Sequence, residues 1–147
     1  MSSYVIIGCG RFGSSVAKTL YSLGHEVLAI DSNMDIIQSI SDNVTQAVQA
    51  DGTEEVTLKS LGIRNYDVAI ISVASDIQAS IMATIIVKEL GISYVVCKAK
   101  DELQAKVLYK IGADRVVFPE RDMGVRLAHN LVSKNILEFI ELDPKYS

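Results

Sequence analysis

Short apolar runs alternate along the whole chain with longer stretches of helical periodicity. The runs fall at residues 4–7, 27–30, 47–48, 68–73, 94–97 and 116–118. Several are continuously apolar, the pattern of strands covered on both faces. Between them, apolar side chains recur every three or four residues over 14–23, 34–40, 54–61, 77–90, 102–111 and 121–132, which predicts six helices. Gly24, Gly62, Gly91 and Gly112 follow four of these patterns, where a left-handed helix stop favours glycine. Asp76 and Asp101 stand where side chains can cap the helices at 77 and 102. Six consecutive strand–helix units predict a Rossmann-like, doubly wound α/β fold. Its sheet is expected to be six-stranded and mostly parallel, with helices on both faces and right-handed crossovers.

Composition narrows the class. The chain has 147 residues, 49% of them apolar, enough for one domain with a sizeable core. No apolar stretch approaches the ~20 residues of a membrane span, so no membrane insertion is expected. The start, Met1-Ser2-Ser3-Tyr4, has no basic segment of the kind that opens a signal peptide. A net charge of −4 argues against nucleic acid as a partner. The two cysteines, Cys9 and Cys97, lie in or beside apolar runs, so buried, reduced thiols are expected.

The chemistry is concentrated after the first strand. Gly8-Cys9-Gly10-Arg11-Phe12-Gly13 stands between a strand and a helix, the context that a dinucleotide-type glycine loop requires. Gly8 permits a tight turn, Gly10 lets a phosphate approach the backbone, and Gly13 lets the helix pack close to the strand. Free N–H groups at the helix start supply an anion site. The next strand ends in Asp31, about 20 residues on, where a carboxylate can hold both ribose hydroxyls and repel a 2′-phosphate. Arg11 adds a guanidinium that can reach a terminal phosphate. No GxxxxGK[ST] loop occurs.

Other candidates lie at the carboxyl ends of later strands, the ligand edge of an open α/β sheet. Asp51 and Thr53 flank Gly52, and two roles are open to them: contact with an adenine or capping of the next helix. Ser72, Val73 and Ala74 end the fourth strand, and Lys98 ends the fifth. With Phe12 and Ser32 beside the glycine loop and Asp31, these complete the candidate cofactor-binding set. A dehydrogenase is a weak alternative. The Rossmann unit consumes nearly the whole chain, His25 and His129 lie away from the expected reaction centre, and the Tyr-x-x-x-Lys spacing from Tyr94 to Lys98 falls in an apolar strand run rather than on a helix. No catalytic residue is assigned.

Taken together, several segments resemble the N-terminal KTN/RCK domain of Ktr- and TrkA-type potassium-uptake regulators. They are the glycine loop with Arg11, Gly24-His25-Glu26-Val27, Asp31, Ala50-Asp51-Gly52-Thr53, Leu61-Gly62-Ile63, Gly112-Ala113-Asp114-Arg115-Val116 and Pro119-Glu120-Arg121-Asp122-Met123-Gly124. The resemblance covers essentially the whole chain. It implies a cytosolic regulatory subunit, not an enzyme, that binds ATP and ADP, or NAD(H) in some branches. Such subunits assemble as dimers into rings and gate a membrane-embedded potassium transporter or channel from its cytoplasmic side. It implies that Arg11 faces the terminal phosphate, that Asp31 holds the ribose, and that Asp51 and Thr53 lie by the adenine. Glu120 is implied near the phosphates across a dimer interface, where Mg2+ or Ca2+ would bind. The nucleotide domain is expected over 1–135, with 136–147 an exit segment or short seventh strand towards a C-terminal domain that has no counterpart before Ser147. One departure from the family pattern is Ala50-Asp51-Gly52, where many relatives carry Gly-Asp-Ala.

Overall fold

The computed structural model describes residues 2–73 and 75–133. The expected exit segment at 136–147, and Ala74, lie outside the described residues. The chain forms two compact units, Met1–Val117 and a second beginning at Phe118.

The first unit contains six strands: β1 (Ser3–Ile7), β2 (Glu26–Asp31), β3 (Gln46–Gln49), β4 (Val68–Ile71), β5 (Tyr94–Lys98) and β6 (Arg115–Val117). They form one sheet in the order β3-β2-β1-β4-β5-β6, and every neighbouring pair is parallel. The expected architecture is therefore present, without an antiparallel strand among the described residues. Five helices connect the strands: α1 (Arg11–Ser22), α2 (Met34–Ile40), α3 (Glu55–Ser60), α4 (Ile77–Glu89) and α5 (Glu102–Lys110).

The core follows from the alternation of side chains across the sheet. Ile6, Val27, Ala29 and Ile70 cluster with Ala17 of α1 and with Ile37 and Ile40 of α2. Val5, Ile7, Leu28, Ile30, Ala69 and Ile71 point to the opposite face and are equally buried. Two-sided burial explains why β1, β2 and β4 read as unbroken apolar runs. The chain winds outward from β1 to β3, then returns to place β4 beside β1. That reversal opens a crevice at the carboxyl ends of β1 and β4.

Helix ends match their signals. Gly24, Gly62, Gly91 and Gly112 all take positive φ. Asp76 accepts from the Ala79 N–H at 3.0 Å, and Asp101 from the Gln104 N–H at 2.8 Å, each closing the first turn of its helix. Several boundaries moved, two of them beside the glycine loop. The fourth strand stops at Ile71 rather than at 73, although the Ser72 N–H still donates to the Ile7 carbonyl at 2.7 Å. The first helix begins at Arg11 rather than at 14.

In the second unit, α6 (Pro119–Leu131) starts with proline at its first position, where no backbone N–H is needed. Phe118 and Asp122 exchange two bonds: the Phe118 N–H donates to Asp122 Oδ2 at 3.0 Å, and the Asp122 N–H to the Phe118 carbonyl at 2.7 Å. The Arg121 guanidinium stacks on the Phe118 ring, 3.8 Å from its centroid. Among the described residues, no helix is long and apolar enough to cross a membrane.

Candidate functional site

The glycine loop uses its three glycines for three different purposes. Gly8 has φ +94°, and a Cβ there would lie 2.6 Å from Val73 Cγ1 and 2.8 Å from the Ser72 carbonyl carbon. It lets the loop press against the exit of β4, while its N–H donates to the Ile30 carbonyl at 2.9 Å. A Cβ on Gly13 would collide with the Gly8 carbonyl oxygen, so α1 can approach β1 only because that side chain is missing. Gly10 differs from both, since a Cβ there would meet nothing within 4 Å. It faces open space at the start of α1, and no side chain caps that helix. The first-turn N–H groups have no partner inside the helix, and the helix dipole adds positive potential there. A phosphate fits this opening.

Asp31 is fixed by backbone donors on both sides. Its Oδ2 accepts from the Cys9 N–H at 2.8 Å, and its Oδ1 from the Asn33 N–H at 2.8 Å. Asn33 in turn caps α2 by accepting from the Asp35 N–H at 2.9 Å. The carboxylate is therefore held between the glycine loop and α2, and each oxygen keeps a lone pair for a further donor. Such a group suits paired ribose hydroxyls and opposes a 2′-phosphate. Cys9 beside it is buried, and burial together with the Asp31 charge pushes its thiol up to about 12. At neutral pH this thiol stays protonated and unreactive.

After β3 the chain turns on Asp51. Its Oδ1 accepts from both the Thr53 N–H, at 2.8 Å, and the Thr53 hydroxyl, at 2.6 Å. These bonds hold the carboxyl below its ordinary range. The residue preceding α3 is Glu54, so Asp51 shapes the turn and does not cap that helix. Gly52 packs where a Cβ would strike Ile7 Cγ2, which brings the turn over the end of β1.

These pieces enclose a cleft of about 480 Å³. Of the candidate residues, Gly8, Gly10, Asp31, Ser32, Asp51, Gly52, Thr53, Ser72 and Val73 line it together. Others take different places. Arg11 is exposed at the first position of α1 and is not on the cleft wall. Phe12 packs on the core cluster, Gly13 is buried under the loop, and Lys98 ends β5 away from the wall. Glu120 belongs to the second unit, and the described residues hold no group of three or more metal-ligating side chains. Ala74 lies outside the described residues.

The cleft also has lining that sequence reasoning left out, including Cys9, Ile36 of α2, and Asp76, Ala79 and Ala83 at the start of α4 and along it. Asp76 was legible only as a cap, although its place just after a strand's carboxyl end pointed to the ligand edge. The described wall carries hydroxyls and three carboxylates, and no His, Lys or Arg. Such a wall suits hydrogen bonding to hydroxyls and backbone recognition of an anion.

Residues 4–119 match the TrkA-N domain. The chain is 46% identical over 144 residues to Ktr system potassium uptake protein C of Bacillus subtilis, covering 98% of this chain and 65% of that protein. It is 46% identical over 136 residues to Ktr system potassium uptake protein A of Vibrio alginolyticus, covering 92% of this chain and 62% of that one. The chain thus spans less than two thirds of either relative. Among solved structures, GsuK bound to ADP superimposes with a TM-score of 0.75 at 17% identity, over 89% of this chain and 35% of GsuK. The GsuK channel bound to NAD superimposes with a TM-score of 0.69 at 17% identity, over 79% of this chain and 21% of that one. At such identity the likeness speaks for the fold alone. With the family match spanning nearly all of the first unit, the chain belongs to the TrkA-N domain family.

Proposed function

We propose that this domain is the nucleotide-sensing part of a cytoplasmic regulatory subunit of a potassium transporter or channel, and that it binds ATP or ADP in the cleft above Gly10. The observation that carries this reading is the pairing of an uncapped α1 N-terminus with a carboxylate fixed by two backbone donors, both on one cleft wall. That pairing suits a ligand with phosphate next to ribose. The identity to Ktr potassium uptake proteins supplies the transport context.

The residues would divide the work as follows. The first turn of α1 and Gly10 would receive phosphate, and Asp31 with Ser32 the ribose. Ile36, Asp51 and Thr53 would border the base. Arg11, exposed at the rim, would engage a terminal phosphate. Glu120 would contribute to a Mg2+ or Ca2+ site with a second copy. A nucleotide can shift an assembly only by binding its two conformations differently. The reading therefore requires a homo-oligomer, a dimer or ring of dimers at the inner face of the membrane, whose shape differs between ATP and ADP. Exposed Ile77 and Met82 on α4, together with α6, are the candidate contacts between copies. The reading is regulatory, not enzymatic.

A second reading, NAD(H) binding with redox sensing, has one observation in its favour. The cleft extends past the glycine loop to Ser75, Ala79 and Ala83, on the side where a second nucleoside would lie. Calorimetry with ATP, ADP, NAD and NADH, alongside the assembly mass with and without ATP, separates the two. Tight ATP or ADP binding with a change of assembly supports the gating reading. Tight NADH binding with weak ATP and ADP binding replaces it with the second.

A further inference from the structure

Asp76 stands where the cleft meets the start of α4. Its Oδ1 accepts from the Ala79 N–H at 3.0 Å, so the α4 N-terminus is already satisfied by an anion of the protein's own. The whole described wall of the cleft holds three carboxylates, Asp31, Asp51 and Asp76, and no cationic side chain. Asp31 uses both oxygens to bridge Cys9 and Asn33, and Asp51 uses Oδ1 to tie the turn after β3 to Thr53. Asp76 needs only one oxygen for its cap, a task that asparagine performs equally well. The negative charge at this position is therefore not required by the fold. It acts on whatever shares the cleft.

We propose that Asp76 is a specificity-determining residue that weights the cleft against each added phosphate charge, and so narrows the advantage of ATP over ADP. The inference rests on the nucleotide reading above. A carboxylate in the same water-filled cleft repels a triphosphate more than a diphosphate, because repulsion scales with the product of the charges. Asp76→Asn keeps the cap and removes the charge.

The test is calorimetric titration of the full chain and of Asp76→Asn with ATP, ADP and adenosine, in metal-free buffer at low and at high salt. The variant is expected to gain about fivefold in ATP affinity and about threefold in ADP affinity, with adenosine unchanged. Both gains should shrink as salt screens the charge, a response that a purely structural role would not produce. Equal gains for ATP and ADP, or none, overturn the proposal, as does a gain that salt leaves unchanged. Asp76→Ser, a second cap without charge, must show the same ordering. If the unaltered chain binds neither ATP nor ADP, the nucleotide reading itself fails, an outcome distinct from a variant that binds both without change.

Discussion

Helices α1 and α4 begin at the carboxyl ends of neighbouring parallel strands, yet their first turns are finished differently. The α4 turn is closed by the Asp76 carboxylate, and those of α2 and α5 by Asn33 and Asp101 in the same manner. The α1 turn is preceded by Gly10, which offers no side chain and leaves open space in front of it. Capping is worth about 1 kcal/mol to a helix. A helix at the centre of the fold that forgoes it keeps its N–H groups for another acceptor. One first turn is closed by the protein itself; its neighbour's is left open, which suits the incoming anion proposed above.

The strongest way to break this comparison is to fill the loop. Gly13→Ala sets a Cβ against the Gly8 carbonyl oxygen, backbone against side chain with no room to rotate away. It should cost about 3 kcal/mol or more in urea unfolding, because α1 must lift from β1. Gly10→Ala meets no atom within 4 Å, so its stability should stay within about 0.5 kcal/mol. Its methyl would instead occupy the anion opening, and ADP affinity should fall about tenfold in the same titration. If Gly10→Ala binds ADP normally, the opening is not where phosphate sits.

Asp31→Asn comes next. An amide can satisfy only one of the two backbone donors from Cys9 and Asn33. A stability loss of about 1–2 kcal/mol is expected, with at least a tenfold loss of ADP affinity. Asp76→Ala should cost about 1 kcal/mol through the lost cap, whereas Asp76→Asn should unfold like the parent. The pair separates the cap from the charge.

The smallest effect concerns Asp51. Its carboxyl titrates below the ordinary 3.8 because the Thr53 N–H and hydroxyl favour the ionised form. A depressed carboxyl pKa contributes stability that is complete above the unfolded value and is lost as pH falls through the folded one. The gap in urea midpoint between the parent and Asp51→Asn should therefore be widest above the unfolded value and narrow as acid carries the pH down through the depressed one. It will be small, since the side chain is exposed and screened.

Much of this was legible in the residues themselves. Strand and helix patterns fixed the winding, and the glycine spacing with Asp31 marked the ligand edge. The first turn of α1 was harder to read, because a glycine at position 13 argues against helix by propensity alone. The glycine spacing gives the reason, close packing of the helix on the strand, and the Gly8 carbonyl is the atom that a Cβ would strike. The apolar run at 68–73 reads as strand to its end because hydrophobicity does not distinguish a sheet position from a cleft wall, whereas β4 stops at Ile71. Val73 serves the wall. Ile36 and Ala79 carry the apolar periodicity of their helices yet stand half-buried on the cleft wall, and Ala83 borders the cleft while fully buried, because the crevice arises only when α2 and α4 are set on opposite sides of β1. Arg11 illustrates the reverse. Its position in the motif suggested phosphate contact, while in the single chain its side chain stands exposed at the rim.

The central claim is that the uncapped α1 N-terminus receives phosphate. Titrating the full chain with ADP and with adenosine, under identical salt, tests it most directly. The account predicts that ADP binds at least tenfold tighter than adenosine, and that Gly10→Ala removes most of that difference. Equal affinity for the two ligands, or a phosphate-dependent gain untouched by Gly10→Ala, would contradict it.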